Sequence, residues 1–155
     1  MTDQAWLDRA VALAVENVAT GGGPFGALVV RDGEVVAEGT NRVTPDLDPT
    51  AHAEVVAIRR ACAVLRDFSL AGCTLYTSCE PCPLCVSASL WARLDRVAYA
   101  ADRDDAARGG FDDRAFYDLM GADRATWPMA VAAVPVEDRF APFETWLGHA
   151  ARTHY

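Results

Sequence analysis

No apolar run among the 155 residues approaches the roughly 20 that span a bilayer. The opening stretch MTDQAWLDRA carries acids where a secretory leader has a basic start. Positive charge is short as well: 14 Lys and Arg stand against 22 Asp and Glu, a net charge of −8. An acidic chain with its cations scattered repels a phosphate backbone, so nucleic acid is not the expected partner. There is no internal repeat, linker or low-complexity segment. Cysteine is sparse and odd in number, five in all. In a chain without a leader that favours metal ligation or buried thiols over disulfides. These absences leave one cytoplasmic domain, residues 1–155, with no membrane contact, and a hydrophobic content of 52% is enough to fill its core.

Hydrophobic spacing outlines the elements. Leu7, Ala10, Val11, Ala14, Val15 and Val18 recur at intervals of three and four, the period of a helix with one buried stripe, and TGGG at 20–23 stops it. Two β-rich runs at 26–31 and 34–40 meet at Asp32 and Gly33, a pair suited to a tight hairpin turn. TPDLDPT is loop. A second helix follows through Val55, Ile58, Cys62 and Leu65, with Thr50 placed to cap it. CTLYT at 73–77 reads as a strand, VSASLWARL as a helix and RVAYAA at 96–101 as another strand. MAVAAVPV suggests a fifth strand and FETWLGHAARTHY a terminal helix. Strands alternating with helices predict an α/β fold, the first pair antiparallel and the later ones parallel through crossover helices.

The stretch TSCEPCPLC places Cys79, Cys82 and Cys85 three residues apart. Two ligands at that interval in the first turn of a helix share a face. Pro81 and Pro83 suit a helix start, where a missing amide hydrogen costs nothing, and the positive helix end favours thiolates. Cys82 and Cys85 therefore form the pair. Glu80 precedes a proline and is pushed to extended geometry, so the sulfur of Cys79 should point elsewhere. A catalytic zinc needs three protein ligands and an open position. His52, two residues before Glu54 at the head of the preceding helix, supplies the third. His-x-Glu followed by Pro-Cys-x-x-Cys is the signature of zinc deaminases of nucleobases, the glutamate carrying protons without ligating the metal. Zinc in such a site brings the pKa of water from about 15.7 toward roughly 7. Hydroxide adds to the ring carbon bearing the amino group, and Glu54 moves protons to a ring nitrogen and to the departing ammonia.

On these residues the chain resembles the cytidine-deaminase superfamily, and within it the bacterial guanine deaminases. The matching stretches are GGPFGALVV, AEGTN, DPTAHAEV, LYTSCEPCPLC, WAR, GFDD and PFETW with the terminal Tyr155. The resemblance implies a three-layer α/β/α sandwich around a mixed five-stranded sheet, with His52, Cys82 and Cys85 on Zn²⁺ and Glu54 catalytic. It further implies a homodimer whose C-terminal segment, about residues 140–155, swaps to cover the partner's site. It assigns substrate binding to Phe25, Asn41, Ala53, Trp91, Asp113 and Tyr155: Asn41 holds the purine, Asp113 reads the base, Phe25 stacks near it, Trp91 lines the cavity and Tyr155 closes it. It places Glu144 in a proton relay and Glu80 beside the zinc, both as catalytic candidates. The expected reaction is guanine to xanthine plus ammonia.

Plainer assignments exist for several of these positions. Asn41 suits a strand end and Asp112 or Asp113 a helix cap. Phe25, Trp91 and Trp146 could serve the core, as Cys62 and Cys73 do most simply. A chain end such as Tyr155 is usually loose, and His149 and His154 nearby are expected in solvent. Competing functions share the motifs: deamination of isoguanine, cytosine, 5-methylcytosine, an aminotriazine or guanosine, editing of adenosine in transfer RNA, and a zinc-stapled module without catalysis. Transfer RNA requires a basic surface, which the net charge opposes. A structural zinc requires a fourth ligand and has no use for Glu54.

Overall fold

The computed structural model describes all 155 residues, which fall into two units, Met1–Met120 and Gly121–Tyr155. In the first unit Thr2 caps helix α1 (Asp3–Ala19) by accepting from the Ala5 amide at 3.3 Å. Its buried stripe runs Trp6, Ala10, Ala14 and Asn17, while Val11, Val15 and Val18 are exposed. The stripe is thus rotated from the expected one, because alanines let α1 lie close against the strand below it.

Strands β1 (Gly26–Arg31) and β2 (Glu34–Thr40) form the expected hairpin. Asp32 and Gly33, at φ 52° and 77°, give the turn its left-handed pair. Helix α2 (Val43–Asp46) is a single turn. Helix α3 (Ala53–Leu65) begins after His52. Thr50 is not its cap: the Thr50 hydroxyl donates to Asp48 at 2.7 Å within the preceding loop. Strand β3 (Cys73–Cys79), helix α4 (Pro83–Trp91), strand β4 (Arg96–Ala101) and helices α5 (Arg103–Arg108) and α6 (Arg114–Gly121) complete the run.

The sheet has four strands in the order β2-β1-β3-β4, not five. Residues 129–136 form no strand and are exposed. Alanines and the flanking prolines give that stretch little β preference and remove ladder donors. β1 is antiparallel to both neighbours and only β3–β4 is parallel, so the expectation of several adjacent parallel pairs is corrected. The reason is that β1 lies between β2 and β3, which run the same way on either side of it.

Strand alternation sends Leu28, Val30 and Tyr76 to one face, against Trp6 and Ala10 of α1. Ala27, Val29, Cys73 and Leu75 face the other way, against Ala53, Ala57, Ile58 and Ala61 of α3, with Ala88 and Ala92 packed alongside. Covered on both faces, residues 26–30 of β1 are all buried. This gives helix, sheet and helix in three layers. Gly39 makes the second face possible: a Cβ there would lie 2.3 Å from the Ala53 carbonyl oxygen and 2.4 Å from the Ala57 nitrogen. That contact seats the start of α3, and the site is built there. Cys73 is fully buried and Cys62 packs beside it, as core thiols.

In the second unit a short 3₁₀ turn (Arg124–Thr126) precedes helix α7 (Ala141–Gly148). The helix ends at Gly148, earlier than the expected span, with His149 extended. The terminal residues fold back onto it: His154 and Tyr155 meet the Trp146 ring edge-on at 6.2 and 6.5 Å.

Candidate metal centre and substrate pocket

Two helix starts face one another across the end of β3. His52 occupies the cap position of α3 but makes no bond to that helix's first amides. Cys82 holds the same position on α4, followed by Pro83 at the first helical place, and Cys85 lies one turn on. His52 Nδ1 stands 3.5 Å from Sγ of Cys82 and 3.5 Å from Sγ of Cys85, and the two sulfurs are 3.7 Å apart. A tetrahedral zinc with Zn–S near 2.3 Å and Zn–N near 2.0–2.1 Å requires about 3.6 Å between sulfur and nitrogen and about 3.8 Å between sulfurs. The three donors already form that triangle. Cys79 is not part of it: its thiol turns to the Asp102 carbonyl at 3.8 Å. Three protein ligands and no fourth leave an open corner.

The electrostatics match a metal site. Donation from Cys85 and the nearby His52 push the Cys82 thiol down to about 4. Cys82 and burial push Cys85 up. The hydrogen bond to Cys82 raises His52. A divalent cation would hold both sulfurs as thiolates.

Glu54, in the first turn of α3, is buried, and its Oε1 accepts from the Thr77 hydroxyl at 3.2 Å. Burial raises its pKa. It lines, with His52, Ala53 and Cys82, a cavity of about 730 Å³. The same cavity is lined by Phe25, Asn41, Glu80, Phe111 and Asp113. Ala53 is wholly buried, and its backbone N–H, at the head of α3, makes no hydrogen bond within the chain. Asn41 spends its side-chain oxygen on the Val43 amide at 3.2 Å and keeps its NH₂ unspent. Its backbone carbonyl is held by Asn17 Nδ2 at 2.8 Å, which also donates to Gly23 O at 2.8 Å.

The two aspartates divide their work. Asp112 pairs with Arg114 and accepts its backbone amide, as a turn residue does. Asp113 has no side-chain partner, and burial and then the Cys82 charge raise its pKa. Phe25 meets Phe111 edge-to-face, centroids 5.0 Å apart.

Within the first unit, one expected residue stands apart from this cavity. Trp91 does not line it; the residue is 65% exposed at the far end of α4. Nine residues of helix carry it about 13 Å along the axis from Cys82. Glu144 lies on α7 and Tyr155 at the chain end, both in the second unit. Glu80 lines the cavity, but both carboxylate oxygens accept from Arg103. Sequence reasoning passed over Phe111, Thr77, Arg103 and Asn17. Phe111 alone had a local signal, its place between a glycine pair and an aspartate pair.

Comparison with known proteins agrees with the geometry. Residues 1–101 match the cytidine and deoxycytidylate deaminase zinc-binding region. Guanine deaminase of Bacillus subtilis (strain 168) is 47% identical over 156 residues, covering 100% of both chains. The X-ray structure of that protein superposes with a TM-score of 0.96 at 47% identity, over 100% of this chain and 99% of the other. A guanine deaminase structure from Nitrosomonas europaea gives 0.65 at 37% identity, over 70% of this chain and 63% of that one. The tRNA-specific adenosine deaminase of Buchnera aphidicola is 31% identical over 117 residues, 76% of this chain and 78% of its own.

Proposed function

The chain belongs to the cytidine and deoxycytidylate deaminase family, zinc-dependent hydrolytic deaminases, and on that footing we propose that its substrate is free guanine, released as xanthine and ammonia. The observation that carries this reading is the open donor triangle of His52, Cys82 and Cys85 beside a buried Glu54, in one cavity with an unpaired Asp113.

His52, Cys82 and Cys85 would hold the zinc, which supplies Lewis acidity that makes water nucleophilic near neutral pH. Glu54 takes the proton that water gives up as it adds to the carbon bearing the amino group. It passes that proton to the adjacent ring nitrogen and serves the departing amine, which leaves as ammonia while a carbonyl forms. Water supplies one oxygen and the hydrogens that balance the reaction. Raised by burial, Glu54 is suited to both directions of transfer. Thr77 holds the carboxylate in place.

Asp113 accepts hydrogen bonds from the donor-rich edge of guanine. A base without matching donors would leave this carboxylate desolvated and unpaired, which is the basis of discrimination. Asn41 offers its unspent NH₂, and Ala53 its free amide, to acceptors on the ring. Phe25 and Phe111 present an apolar wall to its plane.

The rest of the reading concerns assembly. The protein acts as a homodimer, with about residues 140–155 of one copy covering the site of the other, Tyr155 closing the pocket and Glu144 near the proton path. Exposed apolar side chains on α7, Phe143 and Leu147, and on α4, Leu84, Leu90 and Trp91, support a covered surface of this kind. No helix is long and apolar enough to cross a membrane, and thiolate ligands suit the reducing cytoplasm. Editing of transfer RNA is disfavoured by the charge of −8.

The test is ammonia release by zinc-loaded protein on guanine, guanosine, isoguanine, adenine, cytosine, 5-methylcytosine and an aminotriazine. Guanine should be the best substrate. Turnover of pyrimidines or triazines without guanine would leave the zinc chemistry standing and reject the assignment of Asp113.

A further inference from the structure

Between the zinc-binding turn and the segment carrying Asp113 runs a closed ring of four residues. Arg103, the first residue of α5, gives Nη2 to Glu80 Oε1 at 2.6 Å and Nε to Glu80 Oε2 at 3.1 Å. Its backbone N–H donates to Glu80 Oε2 at 3.0 Å. The guanidinium carbon lies 3.6 Å from the ring centroid of Tyr117 on α6, a cation–π contact. The Tyr117 hydroxyl donates to the Pro81 carbonyl at 2.9 Å, and peptide bonds close the ring. The two residues before Cys82 are each gripped, Glu80 by Arg103 and Pro81 by Tyr117.

Arg103 and Tyr117 lie on either side of residues 109–113 in the chain. That segment starts with Gly109 and Gly110, the latter at φ 93°, a backbone freedom that leaves its position to the elements on either side. Asp113 is tied at its backbone, where the carbonyl accepts from Phe116 N at 2.9 Å, one residue from Tyr117. A second bridge, Arg114 to Asp104 at 3.1 Å, joins α5 to α6 outside the ring. The segment that presents Asp113 is thus carried by two short helices, and those helices are fastened to the zinc turn through Glu80 and Pro81.

We propose that Glu80 is a positioning residue, which with Arg103 and Tyr117 staples the base-reading segment 109–113 to the turn that carries Cys82. The inference rests on the reading of Asp113 as the group that reads the base. Deamination requires the amino-bearing carbon to be held beside the metal while Asp113 holds the base by its N–H donors, so the separation of the two sets the reaction geometry. A misplacement near 1 Å costs about 100-fold in such a step. A carboxylate with both oxygens bound in a bidentate arginine pair serves that purpose, because the pair fixes direction as well as distance. A proton carrier at this place would break the pair each time it was protonated.

The experiment is a double-mutant cycle on zinc-loaded protein. Glu80→Gln should keep one zinc per chain by chelator competition and lower kcat/KM for guanine roughly 10- to 100-fold, mainly through kcat. The limbs of its pH–rate profile should not move. In an Asp113→Asn background the same change should cost less than twofold, since there is no reader left to position. Tyr117→Phe, which removes only the hydroxyl, should show a smaller loss with the same dependence on Asp113. An equal loss in both backgrounds overturns the inference, as does a displaced pH limb, which would make Glu80 a proton carrier, or loss of zinc, which would make it a support of the metal alone. If Asp113→Asn itself keeps full guanine turnover, the substrate reading falls and this one with it.

Discussion

The Thr77 hydroxyl donates to Glu54 Oε1 at 3.2 Å, both side chains being buried at the seam between β3 and α3. Strand and helix thus share the carboxylate proposed to move protons. Replacing Thr77 by valine keeps the volume and removes the donor, leaving a buried carboxylate without its side-chain partner. Stability should fall by about 1–3 kcal/mol, measured by urea denaturation, with zinc still bound.

Glu54→Gln keeps shape and hydrogen bonding but carries no transferable proton. Turnover of guanine should drop by at least about 100-fold, while zinc content stays at one per chain. Undiminished activity in this variant would rule out Glu54 as the proton carrier.

The cysteines should separate cleanly by metal analysis. Cys82→Ser or Cys85→Ser breaks the triangle, so purified protein should lose zinc and melt earlier. Cys79→Ser should keep its zinc, because that thiol is turned to the Asp102 carbonyl and not to His52.

Gly39→Ala tests the seat of α3. The added carbon meets backbone at 2.3 Å, which only a shift of the helix can relieve. A loss of about 1–3 kcal/mol or more is expected, and because His52 and Glu54 ride on that helix start, activity should fall further than stability alone accounts for.

Acid stability offers a check away from the site. Asp3 pairs with Arg96 at 2.6 Å and accepts from Tyr76, and these partners, Arg96 first, hold its carboxyl at about 2 against an ordinary 3.8. A lowered folded-state pKa means the contribution is complete above about 4 and is lost as pH falls toward 2. Asp3→Asn should therefore lower the melting temperature at pH 6 and flatten its decline between pH 4 and 2. An unchanged slope would show that this pair does not couple folding to protons.

Much of the scaffold was legible because its signals are local. The Asp32–Gly33 turn, the strand at 96–101 and the cysteine pair after a proline each depend on a few adjacent residues with fixed backbone preferences. The fifth strand at 129–136 was misread because apolar residues alone do not make a strand without a partner edge. Of the stripe expected on α1, Ala10 and Ala14 do face the sheet, where Gly26 permits close approach, but Val11, Val15 and Val18 are exposed, because backbone proximity and not hydrophobicity sets which side of the helix is covered.

Sequence by itself determined the metal donors, since His-x-Glu and Pro-Cys-x-x-Cys fix donor type and spacing within single helical turns. It also determined which of three cysteines stands apart, because a proline after Glu80 ends the strand there. Only the tertiary structure decided that Asp113 is unpaired while Asp112 is spent on Arg114, that Trp91 lies away from the cavity, and that Glu80 is held by Arg103. The Glu80–Arg103 pair joins residues 23 apart, and the place of Trp91 depends on how far a helix carries its last side chain, so neither is written in a local stretch of the chain. The Asp112–Arg114 pair spans two residues, but which aspartate is left unpaired at the cavity depends on how that turn packs against it.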